Sequence, residues 1–128
     1  MNIRKPTDYT AMFTTLDTLM TAQLPQMELY REIGRVVSGR SEKGVAVAAS
    51  EYLQAAYPAA DGFSPRNLHR MRDFYRVYGD TPELLAEAMR LNWTQNMVIM
   101  EAGLTMDERC WYIRKAAESG LSKTELLR

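Results

Sequence analysis

An all-α fold, a compact bundle of about six helices, is what this 128-residue sequence predicts. Apolar residues recur at intervals of three and four along most of the chain, which is the spacing of one face of a helix. Proline, glycine and capping residues divide this pattern into segments of helical length. No alternation of apolar and polar residues is long enough to indicate a sheet. With 46% hydrophobic and 25% charged residues, the composition is that of a globular protein with a real core.

Two helices are predicted in the N-terminal third of the chain. The first spans about residues 8–24, and Pro25 either kinks or ends it. The second spans about residues 27–37 and stops at a Ser-Gly pair. Because Tyr30 and Gly34 lie one turn apart in the second helix, we expect a neighbouring helix to approach closely there.

A helix-turn-helix-like unit is predicted over about residues 44–79. Its first helix covers residues 44–57, where many alanines favour helix and allow tight packing. Its second helix covers residues 65–78 and follows a turn at Gly62. The linker, roughly residues 57–64, is longer than the tightest helix-turn-helix connections, so a generic helical hairpin fits the same pattern.

Three further helices are predicted at about residues 82–91, 93–101 and 106–119. A capping box at residues 105–108 begins the last of them. A second capping box at residues 122–125 indicates that another helix begins just before the chain stops.

We expect the N-terminal pair and the helix at 106–119 to enclose the two central helices. The predicted core includes Leu16, Tyr30, Ile33, Leu53, Leu68, Met71, Trp93 and Trp111. The N-terminal helices carry more apolar positions than one small core readily covers, which predicts a homo-oligomer, most simply a homodimer.

The helix at residues 65–78 is the candidate DNA-binding element. Ser64 is its predicted N-cap, and its apolar face is opposite a row of arginines. Residues 62–78 hold four arginines and one aspartate, a local charge of +3 in a chain whose net charge is zero. Free backbone N–H groups at a helix start attract phosphate, and arginines contact phosphates or base edges. The candidate DNA-binding residues are Ser64, Arg66, Asn67, His69, Arg70, Arg72 and Arg76.

The sequence contains no recognisable catalytic constellation. His69 is the only histidine and Cys110 the only cysteine, which excludes a histidine-pair metal site and an intramolecular disulfide within one chain. The sequence therefore predicts a protein that is not an enzyme and has neither metal nor other cofactor. The absence of a spanning apolar segment and of a secretory signal at residues 1–6 favours a cytoplasmic protein without membrane contact.

Several motifs in order along the chain resemble the N-terminal domain of the YhcG family. These are the segments 29–34, 62–68, 71–74, 91–96, 111–116 and 120–122, and the Gly-Phe-Ser-x-Arg-Asn-Leu block at 62–68 is the specific one. The resemblance covers roughly residues 10–128. Family members are bacterial proteins, often linked to mobile elements, in which this helical domain precedes a nuclease-like domain of the PD-(D/E)XK type.

The resemblance implies a helix-turn-helix-like DNA-binding module. Gln95 stands where the family usually has histidine, and Leu121 where tryptophan is frequent. The sequence stops at Arg128, so it offers no positions for the family's nuclease residues. We therefore expect one helical domain, residues 1–128, that positions a nuclease or regulates a mobile element without being catalytic. The alternative is a protein-interaction module (adaptor, antitoxin-like or inhibitory) that uses the same basic helix.

Overall fold

The computed structural model describes residues 7–120 and 123–127, which form eight helices and no strand. The helices are α1 (Thr10–Thr21), α2 (Gln26–Ser38), α3 (Val45–Ala56), α4 (Pro65–Tyr78), α5 (Pro82–Ala88), α6 (Trp93–Glu101), α7 (Met106–Ser119) and the four-residue α8 (Lys123–Leu126). The all-α prediction is confirmed. The bundle was expected to hold about six helices, and the eight observed ones correspond to the seven predicted segments and the helix predicted to begin near the end of the chain. Ser122 and Leu121 lie outside the described residues.

Two helix boundaries differ from the predicted ones. α1 ends at Thr21 and not at about residue 24. Pro25 is the N-cap of α2, so of the two predicted alternatives, the proline separates two helices and does not kink one. α5 stops at Ala88, although the prediction extended it to residue 91. The reason is a tight turn in which the N–H groups of Arg90 and Leu91 donate to carbonyls three residues earlier.

α4 contributes buried side chains to two hydrophobic clusters. Leu68 and Met71, in its first half, pack with residues of α1, α2 and α3. Phe74 and Tyr78, in its second half, pack with residues of α5, α6 and α7. Trp93 lies between the clusters and packs against both. The helix that carries the candidate site is therefore also the central packing element of the fold.

Gly34 allows α2 to lie directly on α4. A β-carbon at this position would collide with the carbonyl oxygen of Met71, so only glycine permits the two backbones to approach this closely. The close helix contact predicted at this position is confirmed. Because α2 is the main packing partner of α4, and eight residues separate α3 from α4, the arrangement differs from a tight helix-turn-helix.

Trp111 is not a core residue, contrary to the prediction, since 58% of its surface is exposed. The buried face of α7 is formed by Ile113 and Ala116. These two residues follow Trp111 by two and five positions, which places them on the opposite side of the helix. Because they face the core, the Trp111 side chain faces solvent. The other predicted core residues are buried, and Trp93 is partly buried.

α7 also lies elsewhere than predicted. It packs mainly against α5 and α6, and it does not join the N-terminal pair in enclosing α3 and α4. Short connections favour packing between elements that are neighbours in the sequence, and this places α5, α6 and α7 together on the second half of α4.

Candidate nucleic-acid interface

The start of α4 has the predicted cap. Ser64 Oγ accepts a hydrogen bond from the backbone N–H of Asn67 at 3.2 Å, and Pro65 occupies the first helical position. The Ser64 carbonyl accepts from Leu68 N–H at 3.0 Å. Among the described residues, the N–H groups of Ser64 and Arg66 then remain at this end without an acceptor. The helix start therefore offers an anion two backbone donors.

The side chain of Asn67 points into the domain. Its Nδ2 donates to the Gly62 carbonyl at 2.6 Å, and its Oδ1 accepts from Trp93 Nε1–H at 2.9 Å. Gly62 has a φ of +94°, and a side chain there would collide with the hydroxyl of Tyr30. These bonds join the turn before α4 to α6. Asn67 therefore has a structural role that the sequence did not reveal, and its carboxamide is already used.

Glu101, the last residue of α6, neutralises part of the arginine row. Its carboxylate lies 2.7 Å from Nη2 of Arg70 and 3.9 Å from Nη2 of Arg66. The Arg70 side chain is 28% exposed and that of Arg66 is 77% exposed. The Nε of Arg70 is buried without a hydrogen-bond partner in the described part of the chain. Glu101 is not recognisable from the sequence as part of this surface, because its proximity to α4 arises only from the packing of α6.

Of the other two arginines of α4, one is ion-paired within the described ranges and one is not. Arg72 Nε lies 3.3 Å from the carboxylate of Asp73, while His69 is half-buried. Arg76 is exposed and has no ion-pair partner among the residues that the structure describes. Four arginines against Asp73 and Glu101 give this surface a charge of +2 (4 − 2), lower than the +3 that the sequence indicates.

The segment where Gln95 replaces histidine begins α6. Asn92 and Gln95 form a capping box in which each side chain accepts from the other's backbone N–H, at 2.8 and 2.9 Å. Asn96 is fully buried, and its Nδ2 donates to the Ala88 carbonyl at 2.9 Å. The Asn-x-x-Gln spacing is a signal that sequence analysis overlooked. Gln95 supplies the acceptor that this helix start requires.

Within residues 7–120 and 123–127, no three or more His, Cys, Asp or Glu side chains are placed to hold a metal ion. No helix in this part of the chain is long and apolar enough to cross a membrane.

The fold and this surface define an all-α domain with a basic helix on its exterior. Residues 15–128 match the family described as the DUF1016 N-terminal domain. The chain therefore belongs to this family, the N-terminal domain of the YhcG family, and the predicted resemblance is confirmed. Neither a curated protein nor a solved structure matches the chain.

Proposed function

We propose that this domain is a non-catalytic DNA-binding module and that α4 makes the contact. The main support is the position of Arg66 and Arg76, two exposed arginines near the ends of one helix. Ten residues apart at about 1.5 Å per residue, they are about 15 Å apart along the axis. The major groove is about 12 Å wide. A guanidinium near each end can therefore contact a phosphate strand on each side of one groove.

The other candidates have secondary roles in this proposal. His69 and Arg72 lie between the two outer arginines, and the N–H of Arg66 beside Ser64 can donate to a phosphate. Arg70 contributes only when it leaves Glu101. The module acts in the cytoplasm, as a homodimer that presents two copies of α4 to one duplex, and it positions a nuclease or regulates a mobile element.

The test measures how a labelled duplex of random sequence binds at several salt concentrations. We expect the double variant Arg66→Ala/Arg76→Ala to bind more weakly. The slope of log K against log[salt] should flatten by about two, because each lost phosphate contact removes about one released counterion. Arg90→Ala is the matched control, since Arg90 is an exposed arginine outside α4. A folded double variant with unchanged affinity and slope would exclude α4 from DNA contact.

A second candidate function is a protein-interaction module that uses the same helix. Two observations favour it. Asp73 and Glu101 reduce the positive charge of α4, which weakens its attraction for a polyanion such as DNA, and the net charge of the whole chain is zero. The partner would then present an acidic segment to Arg66 and Arg76. If the wild-type domain does not bind duplex at about 50 mM salt, where phosphate contacts are strongest, this candidate becomes the better one.

A further inference from the structure

Trp111 lies at the centre of the solvent-facing side of α7. This residue is 58% exposed, the largest exposure of any tryptophan or tyrosine that the structure describes. Tryptophan is the residue most enriched among the anchors of protein interfaces. A ring in this position is unfavourable in water and is stabilised when a partner covers it.

The charges around Trp111 are arranged symmetrically. Asp107 and Glu108 lie four and three positions before it, and Arg114 and Lys115 lie three and four positions after it. All four are exposed. In a helix, residues three and four apart are neighbours on one face. On the outward face of α7, an acidic turn therefore precedes Trp111 and a basic turn follows it. Glu118 lies beyond the basic turn, near the end of the helix.

This order is self-complementary for two antiparallel helices. If two copies of α7 cross at Trp111, the acidic turn of each lies beside the basic turn of the other, on both sides of the crossing. A parallel pair would place like charges together. Charge patterns of this kind select both partner and orientation, and an isologous contact is the usual form of a symmetric dimer.

Two of these charges are available for a partner. Asp107 and Lys115 have no hydrogen bond or ion pair with any residue in the described ranges. Arg114 Nε pairs with Glu87 at 2.9 Å, and Glu108 Oε1 accepts from the N–H of Thr105 at 2.9 Å. That hydrogen bond lowers the pKa of Glu108, which keeps its carboxylate charged.

We propose that α7 is the surface on which a second copy of this chain docks, antiparallel, with Trp111 of each copy at the centre. This inference rests on the homodimer of the proposed function and not on its DNA contact. A single crossing of two 14-residue helices is a small interface. The dimer is therefore weak, with a dissociation constant on the order of 10–100 µM.

The first experiment measures mass by sedimentation equilibrium of the full chain, without DNA, from about 1 to about 500 µM. The wild type should shift from monomer to dimer over this range. Trp111→Ala should weaken the dimer at least tenfold, with an unchanged circular dichroism spectrum because the indole is not part of the core. Val47→Ala, which truncates an exposed apolar residue of α3, should leave the dissociation constant unchanged.

The second experiment tests the charge order with two variants that should associate only with each other. The acidic variant Arg114→Gln/Lys115→Glu makes both turns negative, and Gln can still bond to Glu87. The basic variant Asp107→Lys/Glu108→Gln makes both turns positive, and Gln can keep the capping box. Each alone should remain monomeric, and an equimolar mixture should form a dimer, in which opposite charges again face each other on both sides of the crossing.

Two results would overturn the inference, and they differ in what else they exclude. A wild-type mass that stays monomeric up to the highest concentration would exclude the homodimer together with its surface. A wild-type dimer that neither Trp111→Ala nor the charge variants weaken would place the dimer on another face. DNA affinity of α4 variants is measured separately, so neither result decides the DNA contact.

Discussion

α4 and α7 are alike in length and in the way they begin, and they differ in how their outward charges are arranged. Each has 14 residues and starts at a hydroxyl cap, Ser64 or Thr105, that accepts from the third helical N–H. The outward side of α4 carries arginines with one aspartate among them. The outward side of α7 carries two acids in the turn before Trp111 and two bases in the turn after it, with Glu118 near the end of the helix.

This difference indicates two kinds of partner. A helix face dominated by one sign repels a second copy of itself and attracts a surface of the opposite sign, such as a phosphate backbone. A face with its signs separated along the axis has little net field, but it matches its own copy in antiparallel orientation. This is why the polyanion is proposed for α4 and the second copy for α7, although both helices are polar on the outside.

The two helices also differ in how they are held. α4 contacts α2 backbone to backbone at Gly34, and it supplies side chains to both hydrophobic clusters. α7 is held by side chains of one cluster, with Ile113 and Ala116 as its fully buried residues. A substitution that disturbs the packing of α4 should therefore lower the stability of the whole domain.

The largest effect is expected from Gly34→Ala. The added methyl would meet the carbonyl of Met71, which is backbone and cannot rotate away, so α2 and α4 must move apart. We expect the free energy of unfolding to fall by about 2–3 kcal/mol, as in overpacked cores. Urea denaturation followed by circular dichroism measures this change.

Gly39→Ala is the control in the same part of the chain. Gly39 has a φ of −72°, and a β-carbon there would make ordinary contacts at 3.5 Å. This substitution should leave the stability unchanged or raise it by up to about 1 kcal/mol. Equal effects of the two substitutions would show that the α2–α4 contact is looser than the structure indicates.

The sequence predicts the helices better than their packing, and the two tryptophans show why. Periodicity located the helices that contain Trp93 and Trp111, because the spacing of apolar residues is a local property. It did not identify which side of α7 is buried, because that depends on α5 and α6. Trp93 was correctly placed, but its hydrogen bond to Asn67 joins residues from separate helices.

The next largest effect on stability is expected from Trp93→Phe, for which Trp111→Phe is the comparison. Trp93→Phe removes the donor to Asn67 Oδ1 and leaves that oxygen partly buried without its partner. We expect a loss of about 2 kcal/mol in unfolding free energy. Trp111→Phe keeps an aromatic ring beside Tyr112 and shortens a largely exposed side chain, so in dilute solution its effect should stay below about 0.5 kcal/mol. Thermal unfolding of both variants measures the difference, and similar losses would mean that Trp111 is packed after all.

The candidate site was predictable only in part, because local sequence pattern does not show how separate helices pack. The cap at Ser64 and the exposure of Arg66 and Arg76 follow from local pattern. The pairing of Arg70 with Glu101 and the inward turn of Asn67 depend on where α6 packs. A count of the charges along α4 alone therefore overestimates the positive charge of the surface that a ligand would contact.

The smallest effect is expected from Glu101→Gln, and its direction is informative. Removing this carboxylate frees Arg70 and Arg66 while the side chain keeps its size. The pair is partly exposed, so stability should change by less than about 1 kcal/mol. Affinity for a random duplex should rise about two- to fivefold at low salt, and the slope against log[salt] should steepen by up to about one.

Glu83→Gln is the matched control, because it removes the same charge from an exposed position on α5. If both variants raise affinity equally, the gain comes from net charge alone and α4 has no special position toward DNA. If Glu101→Gln leaves affinity unchanged in a folded protein, the freed arginines do not reach phosphate. A gain in affinity that only Glu101→Gln produces would place the duplex against Arg66 and Arg70, because these are the two arginines that the Glu101 carboxylate contacts.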